Sequence, residues 1–305
     1  MNFKEAILGS GISSYIYFKS TSEKATVFSS KKSLTIKSKN FYEFDTIGGN
    51  SNIWGGYINY DRHQKFLKNT KYKNFINKKF FKIKKIFTGL KHFENTNCIV
   101  DEKDKIFRVN EYHFKNRLKS EEIKKILVNK KNLSLISDNG DYQTDKLVLC
   151  VGNLGLIKLL YNSEWLNKKD IISFEDGNCG YTLNLSNDFN KNYYIPMPIS
   201  KILEKLIYKK SIEYRLSKYF LVLQKFSKSS NIHSFDCNEI LKMKSSKIRF
   251  FLSNHIVNLR INNLPIRKFI KQKSDKINVF CSGTVKKYLA GPVIQDLILD
   301  IVENK

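Results

Sequence analysis

The sequence has few of the residues that hold structural metals or disulfides. Its five cysteines are scattered along the chain, and no two of them have C-x-x-C spacing. They are Cys98, Cys150, Cys179, Cys237 and Cys281. This inventory indicates reduced thiols and argues against a structural zinc site. Glu175 and Asp176 are adjacent carboxylates, but no histidine lies near them in the sequence, so we expect no bound metal.

Long hydrophobic runs are also missing. No apolar stretch approaches the roughly eighteen residues that a membrane-spanning helix needs. Residues 1–20 place Lys4, Glu5 and a glycine turn where a secretory signal would have its apolar core. We therefore expect a cytoplasmic protein without a transmembrane segment. Its 305 residues, of which 41% are hydrophobic, suffice for one large folded domain or two modest ones.

Acidic residues are scarce: 28 Asp and Glu face 54 Lys and Arg, giving a formal net charge of +26. Such a charge attracts anionic partners at low salt and is one property of nucleic-acid-binding proteins. However, only seven of the basic residues are arginine, and the lysines are spread over the whole chain. Lys, Asn, Ile, Phe and Tyr share A/T-rich codons, so base composition explains much of the charge. We expect no specific nucleic-acid partner.

The N-terminal segment has the pattern of a dinucleotide-binding βαβ unit. Ala6-Ile7-Leu8 predicts a strand, Gly9 a tight turn, and residues 12–18 a helix. Gly11 would let the backbone approach a pyrophosphate, and the N-terminus of the helix favours an anion. Ser14 occupies the third position of G-x-G-x-x-G, where a small residue still permits close packing of helix and strand.

The acidic residue that binds the ribose in such units is missing. A second predicted strand, Lys24-Ala25-Thr26-Val27-Phe28, follows at the expected distance, and Ser29 stands where Asp or Glu would end it. A serine hydroxyl can make a hydrogen bond to the ribose but not the bidentate contact of a carboxylate with a diol. Taken alone, the motif is therefore equally compatible with a dinucleotide-binding unit and with a plain strand–turn–helix.

A second glycine-rich segment, residues 47–56, reads Ile-Gly-Gly-Asn-Ser-Asn-Ile-Trp-Gly-Gly and leaves bare backbone at both ends. Together the two motifs resemble the glucose-methanol-choline oxidoreductase family of FAD enzymes, in which the second motif runs beside the flavin ring and its diphosphate. The resemblance implies FAD as the cofactor, with contacts from Gly9, Gly11, Ser14 and Ser29. The contacts that it implies in the second motif are Gly48, Gly49, Ser51, Asn52, Trp54, Gly55 and Gly56.

Two further segments occur in the family's order. Residues 146–155 resemble its strand-to-glycine segment, which implies a contact from Gly152 and a short helix over 156–161. Residues 279–285 and 290–293 resemble its closing strand before the final helix, with Gly283 near the flavin diphosphate. The resemblance thus predicts an α/β fold: a Rossmann-like FAD-binding domain with a central parallel sheet, plus a smaller α+β substrate or cap domain.

The catalytic half of the family pattern is incomplete. The family uses a histidine in an H-x-x-G-T-like segment and a second polar residue before a C-terminal proline or valine. His255 is the histidine placed for the first role, but Asn258-Leu259 follows instead of Gly-Thr, and Gly291 occupies the second position. We predict His255 as the base, with a structural histidine as the alternative. His63 is expected at the surface, or else at a substrate entrance.

The domain organisation follows from these segments. Residues 1–165 and 275–305 would form the FAD-binding domain, with a helical insertion at about 64–92, and residues 166–274 the substrate or cap domain. A β-meander, with a strand at 133–137 and a turn at 138–141, would lead to Gly152. Hydrophobic patterning predicts helices over 202–226. The insertion's apolar face would comprise Phe75, Phe80, Phe81, Ile83 and Ile86.

Three functions remain open. The first is an FAD-dependent oxidoreductase that acts on a CH–OH group of a small alcohol, sugar or polyol and passes its electrons to an unknown acceptor. The second is a flavin-binding protein that has lost catalysis and serves as a partner or scaffold. The third is a basic protein that binds nucleic acid or an anionic surface. An FAD-dependent mutase or another two-domain flavoprotein would share the G-x-G-x-x-S start.

Overall fold

The structure, a computed structural model, describes most of the chain. The described residues are 1–21, 23–30, 47–49, 57–85, 96–105, 107–181, 192–198, 219–242, 256–285 and 294–305. Their strands are β1 (Asn2–Leu8), β2 (Thr26–Ser29), β3 (Tyr57–Asn59), β4 (Lys82–Lys85), β5 (Thr96–Val100), β6 (Leu118–Ser120), β7 (Ile123–Val128), β8 (Leu133–Ser137), β9 (Asp141–Leu149), β10 (Ile171–Tyr181), β11 (Asn192–Pro198), β12 (Tyr219–Asp236), β13 (Ile256–Ile261), β14 (Leu264–Pro265) and β15 (Ile277–Val279). Their α-helices are α1 (Ile12–Ser20), α2 (Tyr60–Phe66), α3 (Thr70–Asn77), α4 (Gly152–Asn162), α5 (Cys237–Lys242), α6 (Ile266–Lys273) and α7 (Ile294–Asn304). Two 3-10 segments lie at Glu111–Arg117 and Ser282–Thr284.

A seven-stranded sheet forms the centre, in the order β6-β2-β1-β9-β8-β7, with β15 also paired to β9. Strands β6, β2, β1, β9 and β15 run parallel to one another. Strands β7, β8 and β9 form an antiparallel meander. The long β9 pairs with β8 through its first half and with β15 through its second half. The predicted α/β fold with a central, mostly parallel sheet is confirmed, and so is the meander.

Helices cover both faces of this sheet. Ala6 and Leu8 of β1 belong to an apolar cluster with α4, α5 and α6, whereas Ile7 belongs to a cluster with α1, α3 and α7. A strand buried on both faces needs a continuous apolar run, and Ala6-Ile7-Leu8 supplies it. This three-layer arrangement fixes the ends of the parallel strands at one edge, where the loops that follow them lie.

Two smaller sheets complete the described fold. One has five antiparallel strands in the order β11-β12-β10-β13-β14, all drawn from residues 171–265. The other has three strands, β3-β5-β4. Thus the central sheet takes its strands from residues 2–149 and 277–279, and the five-stranded sheet takes its strands from the chain between them.

Two helix predictions are wrong in part. In the predicted helical insertion at 64–92, α2 and α3 are followed by β4, and Ile83 pairs with Ile99 in a sheet. Lys79 has a left-handed φ of 52°, which is incompatible with continuing α3. Phe75 and Phe81 are nevertheless buried in the apolar cluster, as expected, while Ile86 lies outside the described residues.

The second error concerns residues 202–226. Their described part, 219–226, belongs to β12 and pairs with β11 from Tyr219 opposite Pro198 to Lys225 opposite Asn192. A short run of aromatic and aliphatic residues fits a buried strand as well as a helix, so hydrophobic periodicity could not decide between them.

Candidate functional site at the carboxyl edge of the sheet

Gly9 makes the turn that follows β1. Its φ is +95°, and a Cβ added there would lie 2.5 Å from the carbonyl oxygen of Cys150. The Gly9 N–H donates to the Phe28 carbonyl at 2.8 Å, and the Cys150 N–H donates to the Leu8 carbonyl at 2.8 Å. A glycine is therefore required here, because any side chain would collide with the end of β9.

Gly11 lies at the N-terminus of α1. It is the N-cap residue with an extended backbone, no side chain caps the helix, and its first turn contains no acidic residue. A Cβ added at Gly11 would find Gly48 O as its nearest neighbour, at 3.9 Å. Among the described residues, the first turn of α1 therefore carries no carboxylate, and only Gly48 O lies within 4 Å of a Cβ at Gly11. This arrangement is compatible with a bound anion.

Ser10 connects the glycine turn to two other segments of the site. Its Oγ lies 2.6 Å from the Oγ of Ser29 at the end of β2, and it accepts the Gly48 N–H at 3.2 Å. Ser10 and Ser29 are both buried. Three stretches that are distant in sequence, at residues 9–11, 29 and 48–49, therefore meet at the carboxyl edge of β1 and β2.

Ser14 is fully buried in the first turn of α1, and its Oγ has no hydrogen-bond partner in the described part of the protein. The position agrees with the prediction that a small residue lets α1 pack closely on the sheet. Gly48 and Gly49 both have left-handed backbones, with φ of 91° and 48°. Their contact with a cofactor, like that of Ser14, stays a prediction.

Gly152 and Gly283 follow β9 and β15 at the same edge. Gly152 begins α4 with φ of 71°, and no described atom lies within 4 Å of a Cβ built there. Gly283 is different: a Cβ would lie 2.7 Å from both Asn153 Oδ1 and Leu259 Cβ. Close packing explains the glycine at 283, whereas no described residue packs against Gly152.

The remaining predicted site residues are outside the described part of the chain. They are Ser51, Asn52, Trp54, Gly55, Gly56 and His255. The position of Gly291 is outside it as well. Their roles stay predictions.

His63 is not at the surface, contrary to expectation. It is 6% exposed, and its Nδ1 lies 3.0 Å from the hydroxyl of Tyr72 on α3. Burial lowers the pKa of His63. Burial also raises the pKa of Tyr72, and the negative charge of nearby Asp296 on α7 raises it further. The His63 ring therefore makes a structural contact from α2 to α3, and its burial disfavours the charged form of the ring.

Glu175, the first residue of the acidic pair on β10, is engaged within the protein. Glu175 accepts a hydrogen bond from the side-chain amide of Asn258. No group of three or more metal-ligating side chains occurs among the described residues. Nor does any helix in that part of the chain have the length and hydrophobicity to cross a membrane.

Sequence reasoning missed two residues that organise this edge. Ser10 lies between the two motif glycines, and Asn153 follows Gly152 at the start of α4. Asn153 is 1% exposed and donates to Ser282 Oγ at 2.8 Å. A short polar residue next to a glycine, at the junction of an apolar strand and a helix, is the signal that could have identified both.

The strand order and the glycine turn define an α/β protein with a Rossmann-like central sheet. No protein-family model and no curated protein matches the chain. Similar solved structures include pyridoxine 4-oxidase from Mesorbium loti, at 8% identity and a TM-score of 0.46, covering 98% of each chain. A flavoprotein/dehydrogenase from Cytophaga hutchinsonii has 7% identity and a TM-score of 0.40, covering 99% of this chain and 76% of its own. At these values the likeness assigns neither a cofactor nor a reaction.

Proposed function

We propose that the protein is an FAD-dependent oxidoreductase of the glucose-methanol-choline type, acting on the CH–OH group of a small alcohol such as a sugar or polyol. The observation that carries the proposal is the meeting of Gly9, Gly11, Ser29 and Gly48 at the carboxyl edge of the parallel sheet. In open α/β sheets, ligands bind in the crevice at this edge.

The described residues fit the diphosphate part of such a cofactor. The first turn of α1, which no side chain caps, offers backbone N–H donors, and Gly48 O is the one described atom within 4 Å of a Cβ at Gly11. Gly152 opens a second uncapped helix at the same edge. Ser29 would face the ribose, where it replaces a carboxylate. Gly48 and Gly49 would continue along the dinucleotide.

The reaction needs a hydride acceptor and a base. When bound, the flavin would accept the hydride from the carbon that carries the substrate hydroxyl. We assign the base to His255, which takes the hydroxyl proton. The assignment is supported by the strand that follows it: the Asn258 N–H donates to the Val285 carbonyl at 2.9 Å, and Leu259 packs against Gly283.

The substrate domain is proposed to comprise residues 166–274, and the FAD-binding domain residues 1–165 and 275–305. This division is supported by the way in which the strands are distributed between the central sheet and the five-stranded sheet. The protein's partners are then a small-molecule substrate and an electron acceptor.

A second candidate is a flavin-binding protein without catalysis, acting as a partner or scaffold. Two features favour it. Ser29 replaces the ribose carboxylate, and Gly291 offers no side chain at the second catalytic position. Under this alternative the dinucleotide site is retained and the His255 side chain has no chemical role.

The visible absorption spectrum of the purified full chain tests the proposal. Bands near ~370 and ~450 nm, with FAD released on heating, are expected. Bleaching of the ~450 nm band by an alcohol or sugar under nitrogen would then establish the oxidoreductase, and His255→Ala should keep the flavin but lose the bleaching.

Other outcomes of these experiments would favour one of the alternative functions. A bound flavin that no alcohol reduces, with an unchanged His255→Ala variant, would favour the non-catalytic alternative. A colourless protein that also fails to take up added FAD overturns both. Steeply salt-dependent binding to nucleic acid by such a protein would favour the third hypothesis.

A further inference from the structure

At the end of β2 the chain departs from a standard dinucleotide site, because Ser29 stands where a carboxylate would bind the ribose. Ser29 is 8% exposed, and its hydroxyl already lies 2.6 Å from Ser10 Oγ. Ser10 in turn accepts the Gly48 N–H at 3.2 Å. The serine at the ribose position is thus one member of a hydroxyl chain inside the protein.

The hydrogen bonds among Gly48, Ser10 and Ser29 limit what the Ser29 hydroxyl can offer to a ligand. With the Gly48 N–H bound to Ser10 Oγ, the Ser10 proton is available to Ser29 Oγ. The Ser29 proton is directed to the Ser30 carbonyl, 3.4 Å away. The Ser10–Ser29 bond can also run the other way, with the Ser29 proton on Ser10 Oγ. A hydroxyl has one donor and two acceptor positions, so in both arrangements Ser29 keeps only uncharged acceptor positions, and no donor, for the ribose. A carboxylate would present two charged oxygens to the two ribose hydroxyls.

The charge at the end of β2 also differs from that of a standard dinucleotide site, and the difference favours a 2′-phosphate. A carboxylate at the end of β2 repels a phosphate on the ribose 2′-oxygen, whereas a serine carries no charge. The chain as a whole has a net charge of +26, which favours one more phosphate on a ligand. Both the hydrogen bonds and the charge that usually select a free 2′-hydroxyl are therefore missing at Ser29.

We infer that the Ser10–Ser29 pair makes the adenosine end of the site indifferent to the ribose 2′-hydroxyl and permissive for a 2′-phosphate. The inference rests on the proposed dinucleotide site. The pair takes over the structural task of joining the glycine turn to β2 and Gly48, and it leaves recognition of the nucleotide to the diphosphate contacts at α1.

Isothermal titration of the flavin-free full chain tests this with three probes: ADP, 2′-deoxy-ADP and 2′-phospho-ADP. We expect ADP and 2′-deoxy-ADP to bind within about threefold of each other, because an uncharged, occupied hydroxyl adds little to affinity. We expect 2′-phospho-ADP to bind at least as tightly as ADP at low salt.

Two variants at one position supply the matched comparison. Ser29→Glu introduces the carboxylate, and it should create a preference of about tenfold for ADP over 2′-deoxy-ADP and weaken 2′-phospho-ADP by a similar factor. Ser29→Gln has nearly the same shape without the charge, and it should leave binding of 2′-phospho-ADP unchanged relative to ADP. Circular dichroism checks that both variants fold.

The outcomes separate the inference from the proposed function. If the wild-type chain prefers ADP over 2′-deoxy-ADP by tenfold or more, or rejects 2′-phospho-ADP, the inference is overturned while the dinucleotide site stands. If the chain binds neither these nucleotides nor FAD, both fail. The relative affinities of the wild-type chain for the three nucleotides test the inference even if Ser29→Glu does not fold.

Discussion

Asn153 and Gly283 are joined by a hydrogen bond that ties the start of α4 to the turn after β15. The Asn153 Oδ1 accepts the Gly283 N–H at 3.1 Å, and its Nδ2 donates to Ser282 Oγ at 2.8 Å. Asn153 is almost completely buried, and no Cβ fits at Gly283. One side chain therefore fixes the two loops that follow β9 and β15 against each other.

Replacement of Asn153 by alanine should lower the free energy of unfolding by about 1–3 kcal/mol, because it leaves the buried Gly283 N–H without a partner. Urea unfolding followed by circular dichroism measures the change. Asn162→Ala, at the exposed end of the same helix, is the control and should shift the midpoint little. Equal midpoints for the two variants would show that the Asn153 contact does not stabilise the fold.

The fold was predictable where the sequence has long apolar runs next to glycines. Ala6-Ile7-Leu8 and Leu147-Val148-Leu149 are buried on both faces of the sheet, so their runs identified parallel strands directly. Short segments were harder. Ile83 lies in a strand because β5 pairs with it, and a contact with residues so far along the chain leaves no local sequence pattern.

The site was predictable only as far as backbone geometry shows in the sequence. Gly9 is a glycine because its φ is positive and the end of β9 is close, and both requirements match the motif. The contact of Ser10 with Ser29 depends on how α1 and β2 are placed in three dimensions. No spacing rule connects a hydroxyl in a turn with another one nineteen residues later. Such pairs become visible only in the folded protein.

Arg267 and Asp300 form a two-pronged ion pair that contacts β15 at Val279 and the turn after it at Thr284. Arg267 Nη1 donates to Asp300 Oδ1 at 2.5 Å, and Thr284 Oγ1 donates to Asp300 Oδ2 at 3.0 Å. The two charged side chains are 23% and 14% exposed. Asp300→Asn should lower the unfolding free energy by about 1–3 kcal/mol, less than the loss of a fully buried pair.

The exposed pair Lys84–Asp104 provides the control for that prediction. Its side chains are 53% and 50% exposed, so Asp104→Asn should leave the urea midpoint nearly unchanged. If Asp300→Asn also leaves the urea midpoint unchanged, the Arg267–Asp300 pair does not stabilise the turn at Thr284.

One buried histidine, His63, and two half-buried ones, His113 and His233, should make the protein sensitive to mild acid. Burial lowers the pKa of His63, His113 and His233 below the usual value of 6.5. The unfolded chain takes up protons from about pH 6.5 downwards, at a higher pH than these folded rings do, so stability is present above that pH and is lost as the pH falls. The pKa of Glu23 is lowered, chiefly by its hydrogen bond to Lys115, so its contribution is lost only below its usual value of 4.5.

The histidine effect is therefore isolated between about pH 5 and 6.5. His113 Nδ1 accepts the Asn110 N–H at 3.0 Å, and protonation at Nδ1 would remove this acceptor. Unfolding free energies of the wild type and His113→Gln across this range test the point. The unfolding free energy of the variant should fall less steeply with decreasing pH than that of the wild type. A constant difference in stability between the two proteins at pH 7.5 does not affect this comparison. Parallel slopes would contradict a lowered pKa of His113 in the folded protein.

Gly9 and Gly11 are two residues apart, yet replacing each by alanine should have different consequences. At Gly9 the added Cβ meets the Cys150 carbonyl and the backbone must keep a φ of +95°, so Gly9→Ala should lower the unfolding free energy by about 2 kcal/mol or more. At Gly11 the φ of −76° suits any residue, and the nearest described atom is 3.9 Å from the new methyl group. Stability of Gly11→Ala should therefore be almost unchanged.

The same methyl group would nevertheless occupy the space in front of α1 where we place the diphosphate. Gly11→Ala should therefore bind FAD about tenfold more weakly than the wild type while melting at the same temperature. Flavin absorbance per protein and a thermal melt measure the two quantities separately. A Gly11→Ala protein that retains full affinity for FAD would exclude this helix N-terminus as the diphosphate site. Loss of stability without loss of flavin would show that Gly11 is required for packing instead.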